Sequence, residues 1–288
     1  MRNRKTLALR AVLTAVIVST PFVAPAVRAQ DGDLAAACRA AAGAEAAAPG
    51  DVAPKGRLRV ALNVGTPRRT QVDSASGRWR GVATELAKVL ATRFGVPMEI
   101  KTYSGMPDLL SDLDMGEWDV AVSLDPSFRP TRDLDYTVPL LETDNTYLVP
   151  STAPLWTSGE LDRAGIRIAV AAGSATDLFL SPHLKRATLV RAPTVAAALE
   201  LLHTQRVQAF AGGLQDVEAF VRQWPGYRAL ADYFMVSRLA VAVPRGHEVR
   251  AACVADALEW ARRSGRLAQA VARAGLVGVH IASADPAP

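Results

Sequence analysis

Twice along this chain of 288 residues, short apolar runs of strand length alternate with amphipathic segments of helix length. This alternation limits the possible folds more than any single motif does. In the first pass, residues 58–62 (L-R-V-A-L) alternate as a strand, Val64-Gly65-Thr66-Pro67 turns the chain, and residues 73–77 form another turn. From Gly81 a helix carries Val82, Leu86, Val89 and Leu90 on one face and stops at Gly95. Residues 97–102 form a second strand, 107–115 a second helix with Leu109, Leu110 and Leu113 inward, and 120–123 a third strand. Strand, helix, strand, helix, strand implies parallel pairing with right-handed crossovers.

The rhythm restarts after Pro150: strand 166–170, a turn into a helix at 173–177, strand 188–190, helix 194–204, strand 207–211 and helix 214–223. The chain is therefore α/β with two lobes, each a mostly parallel sheet flanked by helices. Segments 142–149 and 234–243 are extended pieces that leave one lobe and return to it. Helices 248–263 and 267–274 pack back on the first lobe. The expected division is 56–143 with 241–280 for lobe 1, 144–240 for lobe 2, and a disordered tail at 281–288.

Residues 1–29 are of another kind. Arg2, Arg4, Lys5 and Arg10 precede the apolar run 11–18, and Val27-Arg28-Ala29 sets small residues at a cleavage site, the pattern of a secretory signal peptide. A membrane anchor would need roughly 20 apolar residues, more than this run supplies. The mature protein is expected in the periplasm. Residues 30–55, rich in Ala, Gly, Asp and Pro, read as a flexible tether. Cys38 lies too far beyond the apolar run for a lipid-attachment cysteine. Cys38 and Cys253 are the two cysteines of a chain bound for an oxidising compartment. They either bridge or leave a buried free Cys253 and an exposed Cys38.

In residues 117–139, Val120 and Val122 lead to Asp125-Pro126 and a loop carrying Arg129 and Arg132. Open α/β sheets hold anionic ligands where a strand's C-terminal end opens into such a loop. A solvated basic loop is the alternative. The net charge of +5 is spread over every segment with no basic run interleaved with aromatics, so it does not point to nucleic acid. His183, His203, His247 and His280 lack metal-ligand spacing, and neither a nucleophile elbow nor a phosphate-cradling lysine loop is present. No metal or cofactor is expected.

Residues 56–276 resemble the family 3 periplasmic solute-binding proteins, the polar amino-acid receptors of ABC importers. The matching stretches are L-R-V-A-L-N, then R-G-V-A-T-E-L-A-K-V-L-A-T-R-F-G-V-P, L-L-S-D-L-D-M-G-E-W-D-V-A-V, D-L-D-Y-T-V-P-L, I-R-I-A-V-A-A-G-S-A-T and V-A-V-P-R-G. The resemblance implies a two-lobe clamp of the type II periplasmic-binding-protein fold with a two-strand hinge. It implies a monomeric binding protein, not an enzyme, that closes on a small carboxylate-bearing solute and presents it to an ABC permease. Arg129 matches the family arginine that pairs with the ligand carboxylate. Gly173-Ser174-Ala175 matches a helix start that adds backbone N–H donors, which is sound chemistry at a helix N-terminus.

The chain also departs from the family. Pro130 stands where the arginine is usual, one step from Arg129, which leaves open whether Arg129 or Arg132 faces the cleft. Gly213 matches the acid that holds a ligand amine, Thr66 and Arg69 match an aromatic pair, and Met106 matches a Trp. Asn63 replaces a frequent Asp, and Ser123 ends the third strand beside it. More cation and less anion favours an anionic ligand without an obligatory ammonium, a carboxylate or dicarboxylate. The same fold also implies two alternatives: a periplasmic ligand sensor, or a dehydratase-like enzyme using Asp125, Glu142 or Asp144 as general acid.

Overall fold

In a computed structural model the described residues are 49–64, 70–72, 78–104, 106–113, 115–127 and 133–283. The expected signal peptide, most of the expected tether, Cys38, Thr66, Arg69, Arg129 and Arg132 lie outside them.

A helical turn, α1 (Pro49–Val52), leads into β1 (Leu58–Asn63), whose residues are buried except at its end. A hairpin of β2 (Gln71–Val72) and β3 (Trp79–Arg80) precedes α2 (Val82–Phe94). Gly95 ends α2 at φ 67°, a left-handed conformation that costs glycine little, with its N–H on the Ala91 and Thr92 carbonyls. There follow β4 (Met98–Tyr103), α3 (Met106–Ser111) and β5 (Val120–Leu124). The helix expected over 107–115 is shorter, because tight turns take over: the Leu113 N–H bonds the Leu110 carbonyl at 3.2 Å and the Gly116 N–H the Leu113 carbonyl at 3.0 Å.

After β6 (Leu134–Tyr136), the long strand β7 (Leu141–Pro150) enters the second lobe. That lobe holds β8 (Arg167–Ala171), α4 (Ala175–His183), β9 (Thr188–Ala192), α5 (Val195–His203), β10 (Ala209–Gly213), α6 (Leu214–Gln223) and β11 (Tyr227–Ala229). The chain returns through β12 (Met235–Pro244) to α7 (Glu248–Arg263), α8 (Arg266–Ala274) and β13 (Val279–Ile281).

The strand order is β4-β1-β5-β12-β7-β10-β8-β9. β4, β1 and β5 are parallel, as are β10, β8 and β9, which is what the strand-helix alternation implies. Between them run two antiparallel crossing strands. β12 pairs with β7 over Met235 to Leu239, then shifts register at Ala240/Val241 and pairs with β5 and β6. The inner strands are the most apolar, with residues 120–122 of β5 and 168–171 of β8 buried, whereas the edge strands β4 and β9 carry exposed polar residues. Leu62, Val120, Leu86 and Leu258 belong to one core on the lobe 1 side, Leu148, Phe210 and Leu202 to one in lobe 2.

Lobe 1 also buries charge. Asp119, fully buried, accepts from the Arg59 N–H at 2.9 Å, Nε at 3.1 Å and Nη2 at 2.7 Å, and Arg250 Nη1 lies 3.8 Å away. Arg59 reaches the Gly116 carbonyl as well.

Two expectations at the ends need correction. The tail does not begin at 281: β13 pairs with β7 through Val279↔Thr143 and Ile281↔Leu141, and the Ala282 N–H bonds the Leu140 carbonyl at 2.9 Å. An open edge of β7 offers those partners. Residues 51–53, expected within the tether, pack on lobe 1: Val52 and Ala53 are buried and Arg250 Nε donates to the Asp51 carbonyl at 3.0 Å. Val52 packs against Cys253, itself buried, and among the described residues no cysteine is free.

Candidate functional site

Parallel strands bring their C-terminal ends to one edge of a sheet, and the residues just beyond form the site. In lobe 1, Leu62 lies beside Val122, so Asn63, which ends β1, and Ser123, one residue before the end of β5, follow on adjacent strands. The loop after β5 is pinned by Asp125, whose carboxylate accepts the Ser127 N–H at 2.9 Å and the Arg238 N–H of β12 at 3.1 Å. Behind it, Tyr136 of β6 has a buried hydroxyl with no partner among the described residues. Burial, and then the negative charge of Asp125, pushes its ionisation up, so it stands there as a neutral O–H donor.

In lobe 2, β8 and β10 are parallel neighbours. Beyond β8 the chain turns at Gly173, φ 68°, into Ser174, whose extended backbone and side chain cap α4: its Oγ accepts the Asp177 N–H at 3.2 Å. The Ser174 N–H is itself taken by the Ala171 carbonyl at 3.2 Å. The Ser174 N–H expected to face a ligand is thus already engaged within the turn. The first-turn N–H groups without an acceptor among the described residues are those of Ala175 and Thr176. Asp177 cannot quench them, being occupied by the Gly173 N–H at 2.8 Å and Arg191 Nε at 2.9 Å.

Both loops rest on the crossing strands. Thr176 Oγ1 donates to Asn145 Oδ1 at 3.3 Å, and Asn145 Nδ2 reaches Ser237 Oγ at 3.1 Å. Asn145 pairs with Met235, and Arg238, which holds Asp125, pairs with Glu142. Three residues of strand separate these anchors, roughly 10 Å at about 3.3 Å each.

Gly213 ends β10 and begins α6, where a Cβ would come within 2.5 Å of Gln215 Nε2. The Gln215 amide thus fills the space of a side chain at 213. Gln215 is buried, and its Oε1 has no partner among the described residues. Gln215, Thr176, Asn145 and Tyr136 escaped sequence reasoning, because polar residues inside apolar elements gain meaning only from what faces them.

The three candidate acids are all engaged. Asp125 holds two N–H groups, Glu142 lies 3.4 Å from Arg238 Nε, and Asp144 lies 2.9 Å from His280 Nε2. Among the described residues no group of three or more His, Cys, Asp or Glu could hold a metal, and no helix is long and apolar enough to cross a membrane.

Solved structures share this architecture. An amino acid ABC transporter substrate-binding protein, AbpA from Streptococcus pneumoniae bound to L-arginine, is 24% identical, with 77% of this chain and 96% of that one covered and a TM-score of 0.65. The ancestral amino acid-binding protein AncCDT-1, a precursor of cyclohexadienyl dehydratase, is 19% identical over 77% and 96% of the two chains, with a TM-score of 0.67. A histidine kinase sensor domain with similarity to periplasmic binding proteins is 21% identical over 78% and 98%, with a TM-score of 0.68. At these identities the likeness shows the fold alone. No curated protein matches the chain. The family model of the bacterial extracellular solute-binding proteins, family 3, matches residues 58–275, most of the chain, and every expected strand of both sheets falls in that range. The chain therefore belongs to the bacterial extracellular solute-binding proteins, family 3.

Proposed function

We propose that this protein is exported by its signal peptide and, as a monomer in the periplasm, captures a small carboxylate-bearing solute between its lobes. The solute is an amino acid or organic acid, and the closed form hands it to an ABC permease. The observation that carries this reading is the common seat of the two loops. The unpaired N–H groups of Ala175 and Thr176 and the loop after β5 rest on the same crossing strands roughly 10 Å apart, the scale of a small organic acid. One carboxylate shared between Arg129 of that loop and the start of α4 would bind better when the lobes approach. Binding would then shift the population towards closure. Asn63, Thr66, Arg69 and Ser123 complete the lobe 1 side, and Gly213 stands on the lobe 2 side without a carboxylate of its own, which makes an ammonium dispensable. The engaged state of Asp125, Glu142 and Asp144 favours binding over acid catalysis.

Thermal shift of the protein with amino acids, organic acids and polyamines tests this. A carboxylate at about 100 times its Kd raises stability by roughly 2.7 kcal/mol, and polyamines do not. Arg129→Ala weakens binding by roughly 2 to 5 kcal/mol with the fold intact, whereas Arg132→Ala does not. A protein that answers to no carboxylate, or one indifferent to both substitutions, sinks the reading.

A further inference from the structure

A concavity rich in charge lies away from the ends of β5 and β8. It is a pocket of about 430 Å³ between the start of α2, the C-terminal end of α8 and the outer face of α6. Five cations line it, Arg78, Arg80, Lys88, Arg222 and Arg273, against the single carboxylate of Glu85. Glu85 bonds Lys88 Nζ at 2.6 Å and Arg273 Nε at 2.8 Å. Burial works to raise the Glu85 carboxyl, but these two cations outweigh it and hold the group below its ordinary value, ionised and committed. Arg78 and Arg222 make no ion pair among the described residues. These two guanidiniums add like charge to the pocket, and an anion shared between them offsets that repulsion.

A second observation sets the kind of anion. Gln215, 3% exposed, lines the same pocket with its Oε1 buried and unpartnered. A buried acceptor left unpaired wants a donor, which a simple anion cannot supply. Arg222 and Gln215 stand on α6 of lobe 2 and the other cations on lobe 1 elements, so an occupant touches both lobes.

We propose that this pocket is a second ligand site, separate from the carboxylate cleft, for a small anion with at least two negative charges and a hydroxyl group, a hydroxy-polycarboxylate. Guanidiniums of Arg78 and Arg222 fork onto its carboxylates, and its hydroxyl donates to Gln215 Oε1. The volume is in the range of small-molecule pockets.

Isothermal titration of the full chain with citrate, tricarballylate and inorganic phosphate at low salt tests the proposal. Tricarballylate has the carboxylates of citrate without its hydroxyl. Citrate binds saturably, and the Arg78→Ala, Arg222→Ala double variant weakens it by about tenfold or more, both side chains being exposed and unneeded for folding. Tricarballylate and phosphate bind more weakly than citrate, and Gln215→Leu removes the gap between citrate and tricarballylate. Arg129→Ala separates the two sites. Citrate affinity that falls in Arg129→Ala but holds in the double arginine variant places citrate in the cleft; it overturns the second site and leaves the cleft reading standing. No saturable citrate binding, or equal binding of citrate and tricarballylate by the unsubstituted protein, overturns the proposal as well.

Discussion

Asp119→Asn is the substitution whose effect follows most directly from the structure. The carboxylate is fully buried and is the counter-charge of two guanidiniums, Arg59 and Arg250, each only 5% exposed. Burial pulls the ionisation of Arg250 down, with Asp119 the largest opposing charge. Removing the charge while keeping the shape leaves two buried cations uncompensated. Breaking a buried pair in this way costs about 3 to 5 kcal/mol. In a folded body of this size about 2 to 4 °C of Tm accompanies each kcal/mol, so Tm falls by about 6 to 20 °C. Urea unfolding followed by circular dichroism is the assay, with the midpoint moving and the slope unchanged. A triple variant, Arg59→Met with Asp119→Leu and Arg250→Met, is the control, since replacing a whole buried ion network by apolar groups is often neutral or better. A loss below about 1 kcal/mol for Asp119→Asn, or a triple variant weaker than the single one, would refute the reasoning.

Ser174→Ala removes the cap of α4 and lowers stability by about 1 kcal/mol in denaturant melts. Its effect on carboxylate affinity is smaller than that of Arg129→Ala, because the substitution removes only the capping Oγ and leaves the N–H groups of Ala175 and Thr176 in place. Asp232 gives a pH dependence of known sign. Burial raises its carboxyl, but the Ser158 O–H at 2.7 Å and N–H at 2.9 Å hold it below its ordinary value. Its contribution is then present above the unfolded value of about 3.9 and lost as pH falls through the folded one, so Asp232→Asn flattens stability measured between roughly pH 5 and 3. Cys38 and Cys253 are predicted to be bridged: thiol titration of periplasmically expressed, denatured protein finds none, and two free thiols would rule the bridge out. Reduction then lowers stability by up to about 4 kcal/mol if the closed loop acts through chain entropy.

Much of the fold was legible without coordinates, for a physical reason. Strands buried on both faces are written as near-continuous apolar runs, as residues 120–122 of β5 and 168–171 of β8 are; helix ends are set by local chemistry, as at Gly95 and at Thr194, whose Oγ1 caps α5. Order along the chain then implied parallel sheets and two crossings. The three-residue strands β6, β11 and β13 were invisible, because a strand that short exists only through the ladder of β12 or β7 it joins. The site was legible in part. Local pattern marked Ser174 as a helix start, but its N–H is committed by the fold of the turn, which passes the donor role to Ala175 and Thr176. Gly213 pointed to a missing acid, and only packing revealed that the Gln215 amide stands in its space. The cationic pocket gathers residues from Arg78 to Arg273, nearly the whole folded chain, and no local pattern ties such positions together. Sequence determines what depends on neighbours along the chain, whereas tertiary structure decides every charge and amide whose partner arrives from elsewhere.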